Sequence, residues 1–286
     1  MVASTVARSA ASHVAAPSGG AFARLRIRLS YAWRHGQLPD LDRPKKFTEW
    51  VQWRKLNERS PFLGSLTDKC AAKALVAARL GAHWIVPTLW QGEAAPAIPP
   101  WSVPFVIKAS HGCNQYAIVH DMARDWPAAL ARSRKWTRQT YGIWLDEWLY
   151  SLNRPGLMVE PFIGHGNTPP TDYKLYVFNG SVAVVQVHTE RLTNHRWVQY
   201  DRAWTKLSNG DYCPPPTGLA AMIGAAELLG RGHDFLRVDF YDTPDGPLFG
   251  EFCLYPGSGL DPFDPLTLDE QLGEKWSAAR AALAKD

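Results

Sequence analysis

Apolar positions along this chain follow two periods, and the switches between them mark its elements. From about residue 44 to 60, Phe47, Trp50, Val51, Trp53 and Leu56 fall at helical spacing. A second helix is predicted from Asp68 to Leu80, with Thr67 or Asp68 placed to cap it and Gly81 to end it. Residues 123–151 read as helices full of Trp and Arg, Leu219 to Leu229 as another, and Glu270 to Ala284 as a closing helix. Period-two or continuous apolar runs predict strands at Ile85–Trp90, Phe105–Ala109, Tyr116–Val119, Leu157–Ile163, Tyr173–Phe178, Val182–His188, Phe235–Phe240 and Leu248–Leu254. Asn179-Gly180 is a hairpin turn signal, and Thr-Pro-Asp-Gly at 243–246 a second tight turn. Ala94 to Pro104 is a Pro-rich loop, residues 1–20 read as disordered, and no internal repeat is evident. Helices and hairpins mixed in this way give an α+β class.

Composition adds limits. The chain has 286 residues, 46% hydrophobic and 20% charged, enough for one large domain or two or three lobes around a cleft. Thirteen Trp imply a heavily aromatic core or an aromatic-lined site. No run approaches the ~20 apolar residues of a bilayer span, and the Ala- and Ser-rich N-terminus lacks the apolar core of a secretory signal. Cys70, Cys113, Cys213 and Cys253 are scattered without a CxxC pair, which argues against structural zinc or a disulfide framework and fits a reducing, cytoplasmic setting.

Charge is uneven. Residues 1–46 carry eight Lys/Arg against two Asp/Glu, a net of +6; the remainder carries 23 against 25, a net of −2. Within the basic part Phe22, Leu25, Leu29 and Trp33 share one helical face, with Arg24 and Arg28 off it. Such a helix ordinarily docks on the main domain; the sharper reading is adhesion to an anionic membrane face.

The candidate chemistry starts at the last hairpin. Asp239 and Glu251 lie near the ends of its two strands, so pairing brings two carboxylates side by side. Adjacent carboxylates repel unless a cation sits between them, and oxygen-only ligands suit Mg²⁺, which usually serves phosphates. Lys108 sits inside the apolar strand PFVIKAS just before His111-Gly112-Cys113-Asn114-Gln115, a loop able to present backbone N–H groups to a triphosphate. Read alone, Lys108 is equally an edge-strand lysine facing solvent. In DYKLYVFNG, alternation puts Lys174 on one face with Tyr176 and Phe178, as a second phosphate-directed cation or a solvated one. Lys69 opens a helix, where a surface lysine is the simpler reading. Glu160 ends an apolar run before Pro161, and suits either a hinge beside an adenine or an exposed strand end.

In order, PKKFTEWVQWRKL, TDK, FVIKASHG, VEPFIG, DYKLYVFNG, LRVDFY and FGEFCLYPGSG resemble the ATP-grasp superfamily, closest to its TupA-like branch of teichuronopeptide biosynthesis. The resemblance runs from about Pro39 to about Trp276. It implies an ATP-grasp fold with ATP held between two α+β subdomains. The expected division is a basic segment at 1–38 and an ATP-grasp-like domain at 39–286, with lobes at 39–104, 105–163 and 164–286. By the same resemblance, Lys69 and Lys108 meet the nucleotide phosphates, with His111 and Gly112 in the covering loop. Glu160 and the backbone of Phe162 form the adenine hinge, and Lys174 is the phosphate-side lysine of the central sheet. Arg237 stabilises the transferred phosphoryl group, Arg191 lies near the acceptor, and Asp239 and Glu251 hold Mg²⁺. The third metal position of the superfamily, often Asn, is Cys253 here, a poor ligand for a hard ion.

The activity implied is an ATP- and Mg-dependent carboxylate–amine ligase working through an acyl phosphate, in cell-surface polysaccharide biosynthesis. Its partners would be a small-molecule or glycan carboxylate and an amine, with no nucleic acid. Trp144, Trp148, Trp197 and Trp204 are candidate sugar platforms, and Pro256-Gly257-Ser258-Gly259 is either an anion-holding nest or a plain turn. Two rival classes are a phosphotransferase on the same fold and a non-catalytic glycan- or nucleotide-binding module.

Overall fold

The computed structural model describes residues 20–189 and 195–285. The tail expected at 1–20 falls almost wholly outside them, as does Arg191. Chain order runs α1 (Ala21–His35), α2 (Phe47–Asn57), α3 (Pro61–Leu66), α4 (Lys69–Leu80), β1 (Trp90–Gly92), β2 (Phe105–Ala109), β3 (Tyr116–Val119), α5 (Met122–Trp136), β4 (Leu157–Pro161), β5 (Asp172–Phe178), β6 (Ser181–Thr189), β7 (Arg196–Tyr200), α6 (Leu219–Gly230), β8 (Leu236–Thr243), β9 (Gly246–Cys253) and α7 (Leu266–Leu283).

The strands form two antiparallel sheets. The smaller has the order β1-β4-β2-β3, and α5 covers it through Trp126, Ala129 and Trp136, which pack with Phe105 and Ile107. The larger has the order β7-β6-β5-β8-β9. On one of its faces Tyr176 and Phe178 meet Phe47 of α2 and Phe235, and Trp276 of α7 closes the cluster. On the other face Val177 packs against Gly230 of α6 so closely that a Cβ there would come within 2.4 Å of it.

Turn and cap chemistry explain where the elements stop. Asp68 accepts the Ala71 N–H at 2.8 Å and starts α4, and Gly81, at φ +101°, ends it. The Glu49 carboxylate accepts the N–H groups of Lys45 (2.9 Å) and Lys46 (3.1 Å), capping α2 from within. Asn179 and Gly180 both take positive φ, as a two-residue hairpin turn joining β5 to β6 requires.

Several elements differ from expectation. The strand placed at Ile85–Trp90 is only Trp90–Gly92 plus an isolated bridge from Ile85 to Phe249. The helical stretch at 123–151 is α5 followed by two short 3-10 turns at Ile143–Leu145 and Trp148–Leu152. The closing helix begins earlier, at Leu266, while α3 and β7 have no counterpart in the sequence reading. The basic helix exists as α1, but it docks through Ile27 and Tyr31, and the Phe22–Leu25–Leu29–Trp33 row faces outward.

Candidate active site

In an antiparallel sheet, residues directly opposite each other share a face. One such row crosses all five strands of the larger sheet. Gln199 opposes Gln186, Gln186 opposes Lys174, Lys174 opposes Asp239, and Asp239 opposes Glu251. A polar row across a sheet whose other face carries Leu175, Val185, Val187 and Val238 costs desolvation unless its members find partners.

They do. Lys174 Nζ lies 2.6 Å from both Asp239 and Asp172. Arg237, two residues before Asp239 and on its face, donates to it through Nε (2.7 Å) and Nη2 (2.6 Å). Lys69 Nζ donates to Glu251 at 3.0 Å, with Arg237 3.8 Å from the same carboxylate. Burial by itself would raise the pKa of Glu251, but Lys69, Lys174 and Arg237 outweigh it and hold the group down at about 2. Burial likewise pulls Lys69 and Lys174 down, and their carboxylate neighbours reverse the direction, so both stay charged.

Lys69 also fixes the loop after β2. As the first residue of α4 it donates its backbone N–H to Ser110 and its ammonium to the Gly112 carbonyl, each at 2.8 Å. Gly112 is needed there, since a Cβ would come within 2.8 Å of the Tyr141 ring and the Gln115 side chain. On the smaller sheet, the Glu160 carboxylate is held by Lys108 (2.6 Å) and by Lys73. Burial would raise the pKa of Glu160, yet these two lysines lower it.

Two cavities meet at this cluster. The first, about 120 Å³, lies between the sheets. Val106, Ile118, Phe162 and Tyr241 give it apolar walls, and Lys69, Lys108, Glu160, Asp172, Asp239 and Glu251 give it charge. The second, about 670 Å³, is lined by Lys174, Arg237, Glu251 and Cys253 and by Gln186, His188, Gln199, Trp144 and Trp197. Asn114 and Glu251 line both.

A family model described as TupA-like ATP-grasp matches residues 49–277. The chain belongs to the TupA-like ATP-grasp family. No curated protein matches it at the level of sequence. Among solved structures, this TupA-like chain is similar to a D-alanine–D-alanine ligase from Bacillus anthracis complexed with ATP, at 13% identity and a TM-score of 0.47, covering 78% of this chain and 68% of that one. An L-amino acid ligase from Bacillus licheniformis is 14% identical with a TM-score of 0.45, over 74% of this chain and 47% of that one. The D-cycloserine synthetase DcsG is 19% identical with a TM-score of 0.45, over 78% and 71%.

The TupA-like structure gathers most of the residues singled out from sequence. Lys69, Lys108, Glu160, Phe162, Asp239 and Glu251 line the first cavity, and Lys174 and Arg237 border the second. Three differ from their expected contacts. His111 is fully buried and lines neither cavity; its Nδ1 accepts the Gly156 N–H at 3.2 Å, leaving Nε2–H to donate to the Gln139 carbonyl at 3.3 Å. It braces the loop from behind. Phe162 lines the slot, but its N–H is already donated to the Pro104 carbonyl at 3.1 Å. The Glu160 carboxylate, expected beside an exocyclic amine, is enclosed by two lysines. Arg191 lies outside the described residues.

Sequence reasoning missed Lys73 and Asp172. Lys73 is one helical turn after Lys69, and Asp172 is two residues before Lys174 on the same strand face, so period alone pointed to both. It also missed Gln186 and His188, polar residues two apart in the valine-rich β6. Of the four tryptophans proposed as sugar platforms, Trp144 and Trp197 line the second cavity, while Trp148 and Trp204 are buried in the core.

The donor chemistry fits magnesium. Asp239 and Glu251 offer only carboxylate oxygens, and Mg²⁺ characteristically takes one or two carboxylates with phosphate oxygens and water completing its shell. Among the described residues no group of three or more His, Cys, Asp and Glu is arranged to hold a metal unaided. Burial pushes the Cys253 thiol up to about 11, and a neutral thiol is a poor ligand for a hard ion.

Proposed function

We propose that this protein is an ATP-dependent carboxylate–amine ligase. ATP would phosphorylate a carboxylate, and an amine would displace phosphate from the acyl phosphate to leave an amide. The observation that carries this reading is the polar row itself. It links a slot with apolar walls and phosphate-directed lysines to a larger polar and aromatic cavity, and Glu251 borders both.

Lys69 and Lys108 would bind the nucleotide phosphates, with Phe162 against the base. Lys73 would keep Glu160 ionised and in place. Asp239 and Glu251 would hold Mg²⁺, which supplies charge neutralisation and orientation of phosphate oxygens. Lys174 and Arg237 stand where charge develops on the transferred group, and their carboxylate partners fix them beforehand, so little reorganisation accompanies the reaction. Arg191 keeps its proposed place near the acceptor. The second cavity would take the carboxylate and the amine. Its exposed tryptophans Trp144 and Trp197, with Gln186 and Gln199, suit stacking and hydrogen bonding to a sugar. A uronic acid, or an amino acid joined to a cell-surface glycan, is the acceptor class this supports.

The test is release of inorganic phosphate from Mg-ATP across panels of carboxylates and amines. A ligase releases phosphate only when both are present. A stable phosphorylated product with no amide would instead identify a phosphotransferase. Absence of any Mg-dependent thermal shift with ATP would leave only a binding module.

A further inference from the structure

The first helix presents two faces to two environments. Ile27 and Tyr31 bury against the domain, and Tyr31 hydrogen-bonds Thr48 of α2 at 2.9 Å. Arg26 reaches Asp146 through Nε at 2.8 Å, and Arg34 lies 3.6 Å from Asp261, so the helix is tethered at both ends. With docking accounted for, the opposite face has nothing to cover it among the described residues. Phe22, Leu25, Leu29 and Trp33 fall within one narrow stripe at 100° per residue, and they are 74%, 53%, 60% and 80% exposed. A soluble surface rarely leaves such a continuous apolar row open without a partner for it.

Charge selects the partner. Residues 20–46 carry Arg24, Arg26, Arg28, Arg34, Arg43, Lys45 and Lys46 against Asp40 and Asp42. Arg28 flanks the stripe, is exposed, and makes no ion pair among the described residues. The guanidinium of Arg26 lies 5.6 Å from the Phe22 ring and that of Arg34 5.9 Å from the Trp33 ring, an arrangement in which rings enter an apolar layer while the cations stay at its polar edge. A second copy of the chain meeting this face across a two-fold axis would set basic helix against basic helix. An anionic lipid surface meets both the apolar and the basic features.

We propose that α1 lies in the headgroup layer of an anionic membrane, with Phe22, Leu25, Leu29 and Trp33 inserted. Trp33 and the 82%-exposed Trp144 also line the second cavity, so docking brings the rim of that cavity to the lipid surface. The docking stands without the ligase reading. Its consequence rests on that reading: the acceptor is presented at the membrane, as a lipid-linked substrate would be.

The experiment is co-sedimentation of the full chain with vesicles of phosphatidylcholine alone and of phosphatidylcholine containing phosphatidylglycerol, without nucleotide. Wild type is expected to sediment with the anionic vesicles only. The double variant L25E/L29E is expected to partition at least about tenfold more weakly, since two inserted leucines are lost. The pair R28E/K45E leaves the apolar row intact and is expected to weaken binding as well. Both variants should keep the Mg-ATP thermal shift of wild type, which separates lost docking from lost folding and from failure of the nucleotide site. Failure of wild type to sediment overturns the proposal. So does undiminished binding by both variants, or a wild-type dimer in light scattering that L25E/L29E converts to monomer, which would assign the face to a second copy.

Discussion

Asp239 and Glu251 are paired neighbours with different burdens. Asp239 is 1% exposed and satisfies two buried cations, Lys174 and Arg237. The Glu251 side chain is 27% exposed and is shared between Lys69 and the cavities. Asp239→Asn removes the charge that two buried cations depend on, so a loss of about 3–5 kcal/mol is expected in chemical denaturation. Glu251→Gln keeps an oxygen for Lys69 and acts at a part-exposed side chain, so it should cost less than Asp239→Asn, yet abolish the Mg-dependent part of the ATP thermal shift. Equal destabilisation by the two would contradict this division. The pH dependence carries the same signature. Glu251 has a folded pKa of about 2 against an ordinary 4.5, so the unfolded state binds its proton more readily. Its contribution is complete above pH ~4.5 and is lost as pH falls towards 2. Glu251→Gln should therefore flatten part of the acid limb in denaturation curves measured from pH 6 downward. The sequence placed both carboxylates near the ends of one hairpin, but not their exact pairing: the two-residue turn alone would set Asp239 opposite Gly250, and a bulge between Asp239 and Phe240 brings Glu251 opposite it instead. The fate of Glu160 was not legible, because its second partner, Lys73, comes from a helix 87 residues away.

At the scale of elements, the helices packed on the large sheet set how rigidly the site face is held. Gly273 of α7 lies against the backbone of Lys45 and Lys46, where a Cβ would come within 1.9 Å of the Lys45 carbonyl oxygen. Backbone cannot swing aside as a side-chain tip can, so Gly273→Ala must push α7 away from the entrance to α2. A loss of about 2 kcal/mol or more is expected, read as a lowered Tm, with little change in ATP affinity at fixed temperature because neither helix supplies a phosphate ligand. Strong period and turn chemistry made α2, α4, α6 and most strands readable. The edge strand β7 escaped because Arg196–Tyr200 has mixed polarity, and its assignment depends on pairing with β6. The sequence left open which face of α1 docks, for a related reason. Its apolar period marks a stripe, but period alone does not say which side the domain lies on. Ile27 and Tyr31, two buried residues among arginines, decided it.

For the whole molecule, the two cavities on either side of the polar row predict that nucleotide and acceptor binding can be separated by mutation. Trp197 is 46% exposed and lines only the second cavity, and Gln186 stands beside Lys174 in the row, with Tyr176 donating to its Oε1 at 2.8 Å. Trp197→Ala should raise the KM for the acceptor about five- to tenfold, the loss of one stacking platform being worth roughly 1–1.5 kcal/mol. The Kd for Mg-ATP should stay within about twofold of wild type, since no wall of the first cavity changes. Phe162→Ala, which strips a wall from the first cavity, should reverse the pattern, weakening Mg-ATP and sparing the acceptor KM. Isothermal titration with a non-hydrolysable ATP analogue, set beside steady-state phosphate release, distinguishes the two. If Trp197→Ala weakens the analogue as much as Phe162→Ala does, the cavities act as one site, and the polar row does not divide nucleotide from acceptor.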